Sequence, residues 1–275
     1  MTTPGDPPPV PDRSAGRPLD VVRTPDGVAP LDDVALGPAL LARAQAAPDG
    51  AAVLRVAWPR PTLAFSRLDT LAPGWPAARE AARGHGFEPV VRQRGGRAAA
   101  YHEGCLLLDL VSPDPDPRTG IRPRYEAGAA VLVGALAGLG VDARVGAVPG
   151  EYCPGDHSVN ASGRVKLAGT AQRVVRGAWL FSSMLVVRGA DRLRAVLDDV
   201  HAALGLQWDP ASVGSVEGVL RLDVEGAHPR GLPDDVVERA VLAQYAAAGY
   251  TVRARAWDPA LLAGAAEQRP RHLPD

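Results

Sequence analysis

Apolar positions along the chain change period several times, and each change marks a predicted element. Over residues 30–46, Val34, Leu36, Leu40 and Leu41 share one helical face behind an acidic start at Asp32 and Asp33, which suits the positive end of a helix dipole. The short apolar runs 51–58 and 62–66, separated by a Pro-Arg-Pro break, read as strands. Pro76 opens a short helix from the first-turn position that proline favours. Residues 88–111 predict a strand, a tight turn at Gly95 and Gly96, a second strand, and a third from Cys105 to Val111 that is apolar enough to be buried on both faces. Residues 122–140 are apolar around much of a helical circumference and predict a helix packed on a sheet, with Gly140 as its stop. Residues 156–160 and 165–172 predict a hairpin turning at Ser162 and Gly163, and residues 176–187 another strand. Amphipathic helices follow over 190–204 and 233–248, with a shorter one within 212–220 between them and a last strand over 250–256.

Hairpins combined with segregated helices predict the α+β class, a mixed β-sheet flanked by helices. Proline and glycine crowd residues 1–28, which predicts a disordered Pro-rich tail. A single catalytic domain is expected over 29–258, with a flexible C-terminal tail over 259–275. Composition adds exclusions. At 275 residues and 46% hydrophobic, the chain has enough apolar surface for a substantial core. A formal net charge of −1 gives no electrostatic case for nucleic acid or an anionic membrane. Neither a membrane-length apolar run nor a signal peptide is present. Two cysteines form neither a disulfide framework nor a zinc site, so reduced thiols in a cytoplasm are expected.

One composition detail points to chemistry. Of 30 basic Lys and Arg residues, Lys166 is the only lysine. An ammonium is a compact point donor, where a guanidinium is a flat fork, so this position calls for the former. Lys166 shares the stretch 150–173 with Cys153 and with Asn160, the only asparagine. Cys153 stands in a turn, before Pro-Gly-Asp; a thiol beside a positive charge is the arrangement an acyl-transferring nucleophile needs, and an inert loop thiol is the alternative. His157 is close enough in sequence to act as a base, although such pairs also arise by accident. His102, between Tyr101 and Glu103, is open to structural and ligand roles, while Cys105 packs as a small hydrophobe. Gly95 and Gly96 either let a backbone approach a bound chain closely or simply turn a hairpin.

Read together, the two stretches resemble the lipoate and octanoate branch of the biotin/lipoate protein ligase superfamily. That branch carries an Arg-x-x-Gly-Gly element leading through small apolar residues to an acidic residue and Gly, met here by Arg92, Gly95, Gly96, Glu103 and Gly104. It also carries a Lys-x-Ala-Gly-x-(Ala/Ser)-Gln-Arg element led by Gly and a basic residue, met by residues 163–173 with Lys166, Ala168, Gly169 and Gln172. The resemblance covers residues 50–220 and implies a biotin/lipoate protein ligase catalytic-domain-like fold with an acyl tunnel between the two elements. It implies Lys166 as the acyl-site lysine and Arg92, Gly95, Gly96, Gly104, Ala168, Gly169 and Gln172 as substrate-binding positions. Where ATP-using ligases have Asn-Asp, this chain has Glu-Tyr-Cys-Pro-Gly, which is similar to the octanoyl-transferring amidotransferases and implies Cys153 as the acyl-carrying nucleophile. The implied reaction moves an octanoyl or lipoyl group to a lysine of a lipoyl domain or a glycine-cleavage H-type carrier protein, with no cofactor. An ATP-dependent lipoate-protein ligase, using ATP and Mg, is the alternative. The chain departs from the pattern at three places: the family's His falls at Tyr101, Arg94 replaces the usual Ser or Thr, and Arg97 stands where ligases often have a third Gly.

Overall fold

The structure, a computed structural model, describes residues 16–223 and 232–274. Its strands are β1 (Pro18–Arg23), β2 (Ala52–Ala57), β3 (Thr62–Phe65), β4 (Glu88–Val91), β5 (Ala99–Tyr101), β6 (Cys105–Pro113), β7 (Ala143–Val145), β8 (Val159–Ala161), β9 (Val165–Val175), β10 (Ala178–Val186) and β11 (Thr251–Arg255). Its helices are α1 (Pro30–Ala46), α2 (Trp75–Gly84), α3 (Ile121–Gly138), α4 (Ala190–Leu204), α5 (Val216–Asp223), α6 (Asp234–Ala247) and α7 (Ala260–Gln268). The large sheet runs β11-β1-β2-β6-β10-β9-β8-β7, and a small second sheet runs β4-β3-β5. Strands β11, β1 and β2 pair in parallel, while β2 through β7 pair antiparallel, so the sheet is mixed as predicted.

Strand β6 sits at the middle of this arrangement, buried along its whole length. Because side chains alternate across a strand, its residues divide between two faces. Leu106, Leu108 and Leu110 join Leu132 and Leu136 of α3 and Val237 and Val241 of α6. Cys105 and Leu107 join the core formed with β3, β5, α2 and α4, and Val111 joins the core under α1 and α7. Each fully buried leucine contributes about 1.5–3 kcal/mol.

Asp109 interrupts that second apolar face. The Arg55 guanidinium donates to Asp109 at 2.7 Å and to Asp33 at 2.7 Å, all three side chains being almost wholly buried. Arg94 reaches the other Asp109 oxygen at 3.2 Å, and the Ser182 hydroxyl donates to that same oxygen. Burial pushes the Asp109 carboxyl upward, but the charges of Arg55 and Arg94 and the Ser182 hydroxyl outweigh it and hold the carboxyl below its usual range. Ser182→Ala is therefore expected to cost about 1.5–3 kcal/mol, read as a lowered urea midpoint, because it removes a hydrogen bond to a buried charge.

Three expectations are corrected. The tail expected over 1–28 contains β1: Leu19 and Val21 are fully buried, and the strand pairs with both β2 and β11. Residues 1–15 lie outside the described residues. The flexible tail expected over 259–275 is instead α7 and a short 3-10 turn, Arg269–Arg271, with Leu261 and Ala265 buried against α1. His272 then ties down the segment, its backbone carbonyl accepting from the Val91 amide at 2.9 Å and its ring bonded to the Val91 carbonyl at 2.6 Å. Gly95 and Gly96 do not turn a hairpin, because β4 and β5 do not pair with each other. Both pair with β3, one parallel and one antiparallel, so residues 92–98 form a loop between them. The hairpin of β8 and β9 is as predicted, with Ser162 at φ 54° and Gly163 at φ 72°, two left-handed positions that match the twist of adjoining strands.

Candidate active site

Lys166 rises from β9 into the interior, 1% exposed. Its three ammonium protons have three acceptors: Glu151 Oε1 at 3.1 Å, the Tyr152 carbonyl at 3.0 Å and the Cys153 carbonyl at 2.9 Å. The charge also lies 4.7 Å from the centre of the Tyr152 ring, a cation–π distance. Glu151 completes the arrangement from the other side, accepting from the amides of Val148 and Gly155 and from the Ser158 hydroxyl. The segment 148–158 thus folds around one buried carboxylate, which Lys166 neutralises. A charge taken out of water needs such a partner, and three converging bonds suit an ammonium better than a planar guanidinium.

The same loop presents Cys153. Its backbone is left-handed, φ 46°, uncommon for a residue with a side chain and stable only where the surroundings enforce it. Here the Lys166 bonds to the carbonyls before and after the Cys153 Cα supply that enforcement. The sulfur, half-buried, accepts from the backbone amide of Arg97 at 3.3 Å and from Arg92 Nη2 at 3.5 Å. Arg92 is held in turn by the Arg97 carbonyl at 2.7 Å. Gly96, at φ 100°, leaves room for this contact: a Cβ there would stand 2.5 Å from the sulfur and 2.9 Å from Arg92 Nη2. Gly96→Ala is expected to displace the sulfur from its donors, changing the rate of thiol alkylation and lowering stability by about 1–3 kcal/mol in thermal unfolding.

A cavity of about 460 Å³ opens beside the sulfur, within the usual range of small-molecule sites. Val34, Ala64, Ala99, Leu107 and Met184 supply its apolar lining. Cys153, Lys166, Arg92, Gly95, Gly96, Gly169 and Gln172 all line it, so the two sequence elements meet in one site. Gly104 and Ala168 do not. Gly104 sits in the β5–β6 turn, where a Cβ would collide with His102 and the Arg188 carbonyl, and Ala168 is buried in the core that α3 covers. Both therefore support the site from outside it. Gln172 holds β9 to the start of α3, accepting from Arg124 Nε at 2.9 Å and donating to the Ile121 carbonyl at 2.7 Å.

The histidines separate clearly. Tyr101, the last residue of β5, lines the cavity on the same face as Ala99, while His102, one position later and beyond the strand, is not among the lining residues. His102 accepts from the Gly104 amide at 2.8 Å and its Nε2 lies 3.1 Å from the Gly189 carbonyl, and burial lowers its pKa. His157 lines the cavity and stacks on Tyr125 at 4.7 Å. Sequence reasoning missed Glu151, Tyr125 and the Arg97 amide. The first had a signal, since a lone buried lysine calls for a carboxylate; the amide had none.

Among the described residues no group of three His, Cys, Asp or Glu side chains could hold a metal ion, and no helix is long and apolar enough to cross a membrane. In fold the chain is similar to lipoate-protein ligase A in its ATP-bound crystal structure, with a TM-score of 0.70 over 94% of this chain and 95% of that one at 18% identity. The bipartite lipoate protein ligase of Thermoplasma acidophilum gives 0.65 over 94% and 93%, also at 18% identity. In sequence it is 33% identical over 148 residues to an octanoyl-GcvH:protein N-octanoyltransferase of Geobacillus kaustophilus, covering 54% of this chain and 52% of that protein. A protein of the same name from Exiguobacterium sibiricum is 34% identical over 149 residues, covering 50% and 53%. The chain spans about half the length of the curated relatives it matches. The model of the lipoyl protein ligase A/B catalytic domain matches residues 47–229, a stretch that holds both elements of the site, and the chain belongs to that family.

Proposed function

We propose that this protein is an acyltransferase of protein lipoylation that moves an octanoyl (or lipoyl) group through a Cys153 thioester to a lysine of a lipoyl domain. The observation that carries the reading is the sulfur itself, addressed by an amide and a guanidinium at the mouth of a partly apolar cavity. The relatives' names fit: octanoyl-GcvH as donor and a protein as acceptor.

The Cys153 sulfur attacks the octanoyl carbonyl of the donor's acylated lysine. A C–S bond forms, the C–N bond breaks, and the thiol proton leaves with the released amine. The amine of the acceptor lysine then attacks the thioester; a C–N bond forms, the C–S bond breaks, and the proton it loses returns to the sulfur. Arg92 and the Arg97 amide, the donors on the sulfur, stabilise the negative charge it carries in both steps, and Lys166, which also lines the cavity, stabilises negative charge developing on the acyl oxygen. Each buried methylene of the chain adds about 0.8 kcal/mol, which favours eight carbons over short acids.

A ligase would need ATP with Mg, an ion usually held by one or two carboxylates together with phosphates. Asp156 is the one carboxylate among the cavity-lining residues, and no step here runs through a nucleotide. The setting that suits this chemistry is the cytoplasm, with both thiols reduced. The test is intact-protein mass spectrometry after incubation with octanoyl-GcvH, with and without ATP. An octanoyl adduct formed without ATP is the expected result; an adduct that requires ATP and free octanoate would sink the transferase reading.

A further inference from the structure

A second cavity, about 820 Å³, adjoins the first and shares Arg92, Arg94, Gly95 and Gly96 with it. Its lining includes Arg67, Arg92, Arg94, Arg173 and Arg271 and no carboxylate. Asp109 neutralises Arg94. The other four have no acidic partner among the described residues: Arg173 donates to the Gln93 carbonyl, Arg271 to the Gln268 amide oxygen, and the buried Arg92 Nε has no acceptor at all. The crowding registers on Arg173, whose pKa is lowered by burial and by the nearby charges of Arg271 and Arg94.

This basin is not only charged. Five large apolar residues are exposed among the described residues, and three of them, Leu68 at 54%, Leu71 at 79% and Leu273 at 43%, belong to the two segments that supply Arg67 and Arg271. A small anion has no use for exposed leucines. A protein surface covers exposed apolar side chains as well as charged ones, and arginine is among the residues that carry most binding energy at interfaces. The geometry points to this basin as the docking surface for an acidic face of the acyl-carrying protein domain, which it would hold against the Gly95–Gly96 loop while the acyl group reaches Cys153. The inference rests on the acyl-transfer reading above and adds where the carrier binds and what selects it.

The experiment compares two octanoyl donors, octanoyl-GcvH and the small thioester octanoyl-N-acetylcysteamine, on the wild type and on Arg67→Glu/Arg271→Glu, both exposed side chains. Docking predicts that the double variant loses about tenfold or more in kcat/KM with the protein donor and is unchanged with the small thioester. It also predicts that the wild-type reaction with octanoyl-GcvH slows as salt is raised, and that the variant loses this dependence. An unaffected carrier reaction overturns docking while leaving the thioester reading in place. Equal loss with both donors overturns it too, since the defect then lies at the reacting sulfur. Inhibition by ATP that the double variant abolishes marks the basin as a nucleotide site and overturns it as well. Failure of both donors to label wild-type Cys153 removes the acyl-transfer reading and docking with it.

Discussion

Cys153→Ser is expected to abolish the octanoyl adduct and reduce transfer to an acceptor lipoyl domain by roughly three orders of magnitude or more, the scale on which losing a nucleophile registers. The substitution preserves volume and leaves both donors, the Arg97 amide and Arg92, in position. What it removes is a thiol, a better nucleophile and a better leaving group than a serine hydroxyl. The other cysteine offers no bypass. Cys105 is fully buried and its thiol is pushed up to about 12 by burial, so it remains protonated and out of reach. Intact-mass measurement of Cys153→Ser beside Cys105→Ser decides the matter: an adduct that persists in the first, or vanishes in the second alone, overturns the assignment.

Lys166→Met carries the second large effect. It strands the Glu151 carboxylate, 0% exposed, with its countercharge gone, and breaking one partner out of a buried ion pair costs about 3–5 kcal/mol. The same change removes the bonds to the carbonyls of Tyr152 and Cys153, so the left-handed turn at the sulfur loses its enforcement and acylation is lost as well. A companion variant separates the two losses. Lys166→Met with Glu151→Gln eliminates the stranded charge and recovers much of the stability in chemical denaturation, yet restores no acylation. Wild-type adduct formation by Lys166→Met would show that the ammonium neither shapes nor serves the site.

Much of the fold was legible because its elements carry their reasons locally. Helix α1, the long strand β6 and the hairpin of β8 and β9 each have apolar periodicity or turn residues that decide the matter within a few positions. Strand β1 does not. Its six residues become a strand because residues 251–255 and 52–56 flank it, and nothing near Pro18 announces partners so distant. Helix α7 is similar, defined by the face of α1 it covers. The site divides in the same way. Lys166 and Cys153 stood out as residue types in a revealing pattern, but the donors on the sulfur depend on the path of the loop after β4, which the glycine pair suggested wrongly as a hairpin. Alternation along a strand, by contrast, was enough to explain why Ala99 and Tyr101 line the cavity and Ala100 does not.

Arg94 couples the two cavities to the charge buried beneath them. It borders both cavities and, through Asp109, belongs equally to the charged interior beneath them. A small hydroxyl residue at this position would leave the buried Asp109 carboxylate to Arg55 and Ser182 alone. Positions 94 and 109 are therefore coupled, and anyone reshaping this cavity must treat them as a single unit.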